Sequence, residues 1–400
     1  SRTVPKSHNP RQRLDALFQK GTRIMVSIQG RHMDICAGCV VLRVGVDHIF
    51  VASRTQLPPV SAQCADQTTS DIVWCIDKTY YKNAMSKSRT NVRFLLLGNT
   101  IPRSKIGQQQ ESKQEPKPES DSINARCHHL RQLVVHMAEP QFYPEFSLAQ
   151  PQWWLTQPME LGTKQPHAAT AAALEEMAAS MNENQRKAVS HVLRAKDYSL
   201  MLGMPGTGKT TTIVFLIRVL LQRGCRVLLS AFTNSAVDNV LSKLKEQGFN
   251  DFVRIGTSNS KPDIEPHLLC NKLAQQTTSV AEQHRMPITT IKQIMGTVQL
   301  VAATCIGSRN QEVFNNASKR PLFDFCIVDE ASQILEPTCI APLMVAKRFV
   351  LVGDPKQLPA VVVSQEARDL GMSMSLFERL ALQHPCAVST LTDQYRMNED

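Results

Sequence analysis

Apolar residues recur along this chain in two rhythms. In the first hundred residues they form short β-branched runs, 23–29, 36–44, 48–52, 72–76 and 92–97, broken by Gly, Asp and Pro. That pattern predicts a small sheet or barrel after a polar, basic lead-in at 1–20. From residue 182 onward apolar strands alternate with amphipathic helices, at 199–202, 210–221, 226–230, 236–245, 300–303, 325–328 and 349–352. Such alternation predicts a parallel sheet covered by helices on both faces, an α/β fold.

Two segments separate these regions. Residues 103–124 are rich in Gln, Lys, Glu, Ser and Pro and nearly devoid of apolar side chains after Ile106. A segment that buries so little cannot offset its ordering entropy, so it is expected to be a disordered linker. Residues 125–181 are expected to form a largely helical connector, with an irregular middle around Trp153-Trp154 and an Ala/Glu/Met-rich helix at 168–181. The expected domains are therefore a β-rich barrel-like domain at 1–102, the linker at 103–124, the connector at 125–181 and an α/β domain at 182–400.

Composition narrows the class without fixing it. The 400 residues are 42% hydrophobic and 20% charged, a globular balance. No apolar run approaches the ~20 residues of a membrane span, so no membrane partner is expected. The formal net charge of +10 favours a polyanionic partner. Eleven cysteines in a long chain do not describe a small disulfide scaffold. Cys36 and Cys39 have CxxC spacing, but no second pair follows and structural zinc takes four ligands. The chain opens without an initiator Met, which suggests a fragment or a processed chain.

The chemistry begins at Gly203-Met204-Pro205-Gly206-Thr207-Gly208-Lys209-Thr210, a full GxxxxGK[ST] match between a strand-like and a helix-like run. Glycines there let backbone N–H groups turn inward around phosphates, and the helix N-terminus adds positive potential. Lys209 suits the β- and γ-phosphates and the Thr210 hydroxyl suits Mg²⁺. Downstream, 325–328 is an apolar strand ending in Asp329-Glu330. Adjacent acids are costly at a buried strand end unless a cation needs them. Asp329 suits the Mg²⁺ shell and Glu330 a base that positions water. A third strand, 348–352, leads into Gly353-Asp354-Pro355-Lys356-Gln357-Leu358-Pro359. Gln357 could sense a γ-phosphate, though the tract also reads as an ordinary turn. Near the end, Arg396 in Gln394-Tyr395-Arg396-Met397 suits transition-state charge.

In this order, the P-loop, Asp329-Glu330-Ala331-Ser332, Gly353-Asp354-Pro355-Lys356-Gln357 and Gln394-Tyr395-Arg396-Met397 resemble the motifs of superfamily 1 helicases. Ser235-Ala236-Val237-Asp238-Asn239, Phe323-Asp324-Phe325-Cys326-Ile327 and Glu366-Ala367-Arg368 narrow the resemblance to the DNA replication ATP-dependent helicase/nuclease (Dna-two) family. It implies a RecA-like P-loop domain at 182–400, preceded by a small β-barrel and a helical segment. The implied activity is that of an ATP-dependent DNA helicase in replication and repair.

Residue by residue, the resemblance implies nucleotide contacts for Gln185, as an adenine reader, for Gly203, Pro205, Gly206, Thr207, Gly208, Lys209, Thr210 and Thr211, and for Tyr395, as a base-stacking aromatic. It implies Mg²⁺ on Thr210 and Asp329, catalytic roles for Lys209, Glu330, Gln357 and Arg396, and nucleic-acid contacts for Thr233, Asn234, Thr304 and Pro359. The implied ligands are ATP and Mg²⁺, with no other small-molecule substrate. The implied partners are single-stranded DNA and a single-strand-binding protein, and the implied location is the nucleus, with the mitochondrion as a second compartment.

The sequence departs from the family twice. No nuclease site or four-Cys iron–sulfur pattern is present, so a cluster is expected only in a nuclease region outside this segment. Glu111-Ser112-Lys113 has a nuclease-like spacing but sits in the polar linker. The second RecA-like domain is not found before Asp400, so the chain alone is expected to be incomplete for turnover. An RNA helicase of the nonsense-decay branch, or a nucleic-acid-binding fragment with a vestigial ATP site, remain alternatives. Trp153-Trp154 read either as a stacking platform for bases or as a buried anchor.

Overall fold

The structure is a computed structural model that describes residues 23–28, 35–44, 49–53, 74–78, 88–92, 95–96, 123–150, 152–155, 168–256, 261–276, 288–309 and 323–395. The expected disordered linker at 103–124 lies almost wholly outside them. The chain divides into two compact units, Ser1–Lys87 and Ser88–Asp400.

In the first unit β1 (Arg23–Ile28), β2 (Ile35–Val44), β3 (Ile49–Ser53) and β4 (Trp74–Lys78) form an antiparallel sheet in the order β3-β2-β1-β4. Register shifts at Val26/Ser27 and Val41/Arg43 interrupt the ladders. Bulges of this kind raise the local twist of a small sheet. The expected fifth strand at 92–97 is not one: its described residues are helical, as are 88–91. A short apolar run cannot be told from a buried helical segment by its pattern, and tertiary contacts decide here. Leu95 is buried in the second unit's core. Arg131 Nε donates to Leu95 O at 3.0 Å, and Asn91 Nδ2 donates to Pro337 O at 2.9 Å.

In the second unit the helical residues at 88–92 and 95–96 are followed by α1 (Ile123–Val134), α2 (Ala168–Ser180) and α3 (Glu183–Arg194). The chain then runs through β5 (Tyr198–Gly203), α4 (Lys209–Gln222), β6 (Val227–Ala231), α5 (Asn234–Glu246) and β7 (Phe252–Ile255). It continues through α6 (Leu269–Gln276), α7 (Ile288–Thr297), β8 (Leu300–Thr304), β9 (Phe323–Asp329), α8 (Glu336–Leu343), β10 (Ala346–Gly353), α9 (Gln365–Asp369), α10 (Leu376–Gln383) and β11 (Val388–Leu391). The strands form one sheet, β11-β5-β10-β9-β6-β8-β7, and every pair in it is parallel.

Successive strand residues point to opposite faces, and both faces are covered. Leu200, Leu228, Cys326 and Phe349 face a core with α1, α7, α8 and α10. Their neighbours Met201, Leu229, Ile327 and Val350 face a second core with α2, α3, α4 and α5. Burial on both sides is why these strands read as continuous apolar runs. Trp153 and Trp154 are 3% exposed and belong to the second core. Trp154 stands edge-on to Phe215 of α4, centroids 5.7 Å apart. They are a hydrophobic anchor, not an open platform. Because all seven strands are parallel, their carboxyl ends share one edge, where open α/β sheets bind ligands.

No helix among the described residues is long and apolar enough to cross a membrane.

Candidate functional site

β5 ends at Gly203, and the chain turns through Gly206 and Gly208, both left-handed with φ of 85° and 81°, into α4. At Gly208 the cost of a side chain is double: its φ is unfavourable for L-residues, and a Cβ would collide with the Gln185 amide. Gly203 is closed in as well, since a Cβ there would lie 2.8 Å from Lys209 Cγ and 2.9 Å from Thr207 Oγ1. Lys209 folds back so that Nζ donates to Gly203 O. Burial lowers the pKa of Lys209, opposed by the carboxylates of Asp329, Asp354 and Glu330. Three carboxylates thus act electrostatically on the amine. Thr207 is 1% exposed and its hydroxyl donates to Met204 O at 2.8 Å, so it braces the loop from inside.

A cavity of about 490 Å³ opens over this loop, lined by Gln185, Pro205, Gly206, Gly208, Lys209, Thr210, Thr211, Gln357 and Tyr395 together with Ser180, Met204 and Lys243. Nine residues expected from sequence therefore share one wall. Gln185 serves two structures at once. With Asn182 it forms a capping box at the start of α3, and its Nε2 donates to Thr207 O at 3.4 Å. Tyr395 is pinned beside the loop: its N–H donates to Gly206 O at 3.0 Å and its hydroxyl accepts from Asn182 Nδ2 at 2.6 Å. Gln394 Nε2 donates to Pro205 O at 3.1 Å. Arg396 lies outside the described residues.

Two strands from β5, β9 ends in the acidic pair. Asp329 is 8% exposed, and burial pushes its carboxyl up to about 6 from the usual 3.8. Its Oδ1 accepts from Glu330 N at 2.9 Å. Burial also raises the Glu330 carboxyl, with Lys209 opposing. Glu330 sits in the left-handed region at φ 54°, an unfavourable conformation for a non-glycine residue and a recurrent mark of functional sites. A buried carboxylate held near Lys209, with its ionised form disfavoured, fits a divalent cation, whose charge would offset the desolvation.

Between β5 and β9 lies β10, so the tract after it falls between the P-loop and the acids. Gln357 Nε2 donates to Asp354 Oδ2 at 3.1 Å, and Asp354 Oδ1 accepts from Lys356 N at 3.0 Å. Asp354 N in turn donates to Ser332 Oγ at 3.2 Å. Gly353 permits this contact, because a Cβ there would lie 2.9 Å from Ser332 N. Sequence reading gave Asp354 only a turn. In the structure it is the buried clamp of Gln357, tied to the residues that follow the acidic pair.

The four expected nucleic-acid residues lie outside this cavity. Thr233 and Asn234 are exposed where β6 meets α5, with the Thr233 side chain accepting from Ala236 N as the helix cap. Phe232 beside them is 43% exposed, an aromatic the sequence reading passed over. Thr304 ends β8, where its Oγ1 accepts from Gly307 N at 3.1 Å. Pro359 is exposed after β10.

A parallel sheet with a P-loop after β5 and an acidic pair at the end of β9, two strands away, has the arrangement of a RecA-like P-loop domain. A family described as an AAA domain matches residues 180–286 and 269–365. The particular relatives are DNA replication ATP-dependent helicase/nucleases, and the chain is plainly homologous to them over the matched residues. That of Arabidopsis thaliana, JHS1, is 34% identical over 96% of this chain and 24% of its own length. DNA2 of Mus musculus is 42% identical over 67% of this chain and 23% of its own length, and DNA2 of Homo sapiens is 41% identical over the same shares. The chain thus spans about a quarter of the curated relatives it matches.

Proposed function

We propose that this chain binds Mg²⁺-ATP, and that the protein it belongs to uses ATP hydrolysis to move along single-stranded DNA as a replication and repair helicase. The observation that carries the reading is the cavity in which P-loop residues, Gln185, Gln357 and Tyr395 meet, with the Asp329, Asp354 and Glu330 carboxylates acting electrostatically on Lys209. In this reading the Gly206–Gly208 backbone cradles the phosphates, Gln185 and Tyr395 hold the base, and Lys209 contacts the β- and γ-phosphates. Thr210 and Asp329 would hold Mg²⁺, which supplies charge neutralisation between the phosphates when bound. Glu330 orients the attacking water, and its raised pKa suits it to take a proton. Gln357 and Arg396 read the γ-phosphate.

The remaining assignments belong to the same proposal. Thr233, Asn234, Thr304 and Pro359 contact the nucleic acid, and the division into barrel-like, linker, connector and motor segments follows the family. A single-strand-binding protein is the expected partner and the nucleus the expected location. The relatives' names speak of DNA, which favours DNA over the RNA alternative.

A fluorescent ATP analogue titrated into the wild-type chain and Lys209→Ala tests the core of this reading. Saturable Mg²⁺-dependent binding is expected, weakened on the order of a hundredfold by the substitution, since a charge-assisted contact to phosphate is lost. Absence of wild-type binding would mean a vestigial site and sink the proposal.

A further inference from the structure

Arg254 lies in β7, flanked by Val253 and Ile255, and is fully buried. Its Nε donates to Asp238 Oδ1 at 2.7 Å, with Asp238 itself 2% exposed. Nη1 donates to Ile255 O. Nη2 donates to Asn234 Oδ1 at 2.7 Å. Asn234 and Asp238 stand four residues apart on α5 and therefore face Arg254 together. Two residues after Arg254 comes Gly256, where a Cβ would lie 2.9 Å from Arg254 Nη1, so the backbone leaves room for the guanidinium.

A guanidinium only donates hydrogen bonds. It therefore fixes the Asn234 amide one way round: oxygen inward to Arg254, nitrogen outward. Asn234 is exposed at the carboxyl edge, beside the exposed Thr233 and Phe232. The outward NH₂ is a donor, the polarity a phosphodiester oxygen requires. Stability alone does not call for this arrangement, because a buried ion pair is commonly replaced by apolar residues at no loss.

We propose that the buried Arg254–Asp238 pair is a positioning device for nucleic-acid binding, holding Asn234 with its amide nitrogen turned to the phosphate backbone of a single strand. The inference rests on the nucleic-acid role proposed above for Asn234. Arg254 touches no ligand; it acts through the side chain it orients.

The test is binding of a fluorescein-labelled oligothymidylate to the 400-residue chain, by anisotropy across a salt series, with melting temperature and ATP-analogue affinity measured alongside. The paired variant Arg254→Met/Asp238→Leu removes both charges together. It is expected to melt at or above the wild-type temperature and bind nucleotide unchanged, yet bind the oligonucleotide roughly tenfold more weakly. The dependence of affinity on salt should keep its slope, since a buried Arg neutralises no phosphate, whereas an Arg contacting the strand directly would lower it. In an Asn234→Ala background the same pair of changes should cost nothing further. Arg254→Lys, which keeps a charge for Asp238, should fall to the paired variant's affinity and serves if the paired variant does not fold. Wild-type affinity in the paired variant or in Arg254→Lys, or a lowered salt slope, overturns the inference while leaving the nucleic-acid role intact. No binding by the wild-type chain overturns both.

Discussion

The two ends of the sheet's carboxyl edge are built on different plans. At the β5-β10-β9 end the working groups come in short contiguous motifs, and two of them are supported from within their own motif: Lys209 folds onto Gly203, and Asp354 holds Gln357 three residues on. At the β6-β8-β7 end the exposed groups are ordinary turn residues, and the support comes from a buried ion pair between β7 and α5. Phosphate chemistry needs many donors within a few ångströms, which a contiguous loop supplies. A surface that tracks a strand needs well-oriented donors spread over several loops, which distant buried residues supply. The two ends should therefore fail independently, and lesions confined to one end sharpen or break that separation.

The largest effect is expected at Asp329. Asp329→Asn should abolish Mg²⁺-dependent nucleotide affinity, on the order of a hundredfold or more, because the metal loses a ligand charge. Oligonucleotide affinity should stay at the wild-type value; a parallel loss of both would break the comparison. The same substitution should raise the melting temperature of the ligand-free chain by several degrees. Folding holds the Asp329 proton to a higher pH than the unfolded chain does, about 6 against 3.8. Between those values the folded state binds more protons, so this group lowers stability as pH rises, and the full penalty persists above about 6. Thermal melts at pH 5 and pH 7 should show that drop in the wild-type chain and less of it in Asp329→Asn. In the other direction, Mg²⁺-dependent nucleotide binding should weaken as pH falls through about 6.

A middle effect is expected at Gly208. Gly208→Ala forces a Cβ into a left-handed position and against the Gln185 amide, so both the proposed phosphate cradle and the proposed base-side residue shift. Nucleotide affinity should fall roughly tenfold, measured by the same titration, with oligonucleotide binding intact.

These sites differ in how far the chain alone announced them. Gly203 to Thr210, Asp329-Glu330 and Gln357 were legible because their chemistry demands fixed types at fixed spacing. Arg254 was not. A lone Arg in Phe252-Val253-Arg254-Ile255 looks like a strand's solvent face, and only the fold brings Asp238 and Asn234 to it. The helix at 88–92 was hidden for a related reason: 92–97 has a strand's composition, and its conformation is decided by Pro337, Thr338 and Arg131 far along the chain. Residue order reveals chemistry that is local. Contacts between a strand and the helix packed on it, such as Arg254 with Asp238 and Asn234 only 16 and 20 residues away, need the fold first.

The smallest effect is expected where the nucleotide end is itself subdivided. Asn182 caps α3 through its oxygen and holds the Tyr395 hydroxyl through its nitrogen at 2.6 Å, so one side chain ties Gln185, the proposed adenine reader, to Tyr395, the proposed stacking ring. Asn182→Ser keeps a competent helix cap but is too short to reach Tyr395. Tyr395→Phe removes the hydroxyl and keeps the ring. Each should weaken ATP about two- to fourfold, the worth of one partly exposed hydrogen bond. The double variant should be no worse than either, since both delete the same contact. Inorganic tripolyphosphate, which offers phosphates and no base, should bind all three variants as it binds the wild type. Equal losses for ATP and tripolyphosphate would mean that the bond braces the P-loop through the Tyr395 backbone, not the base, and that the nucleotide end works as a single unit.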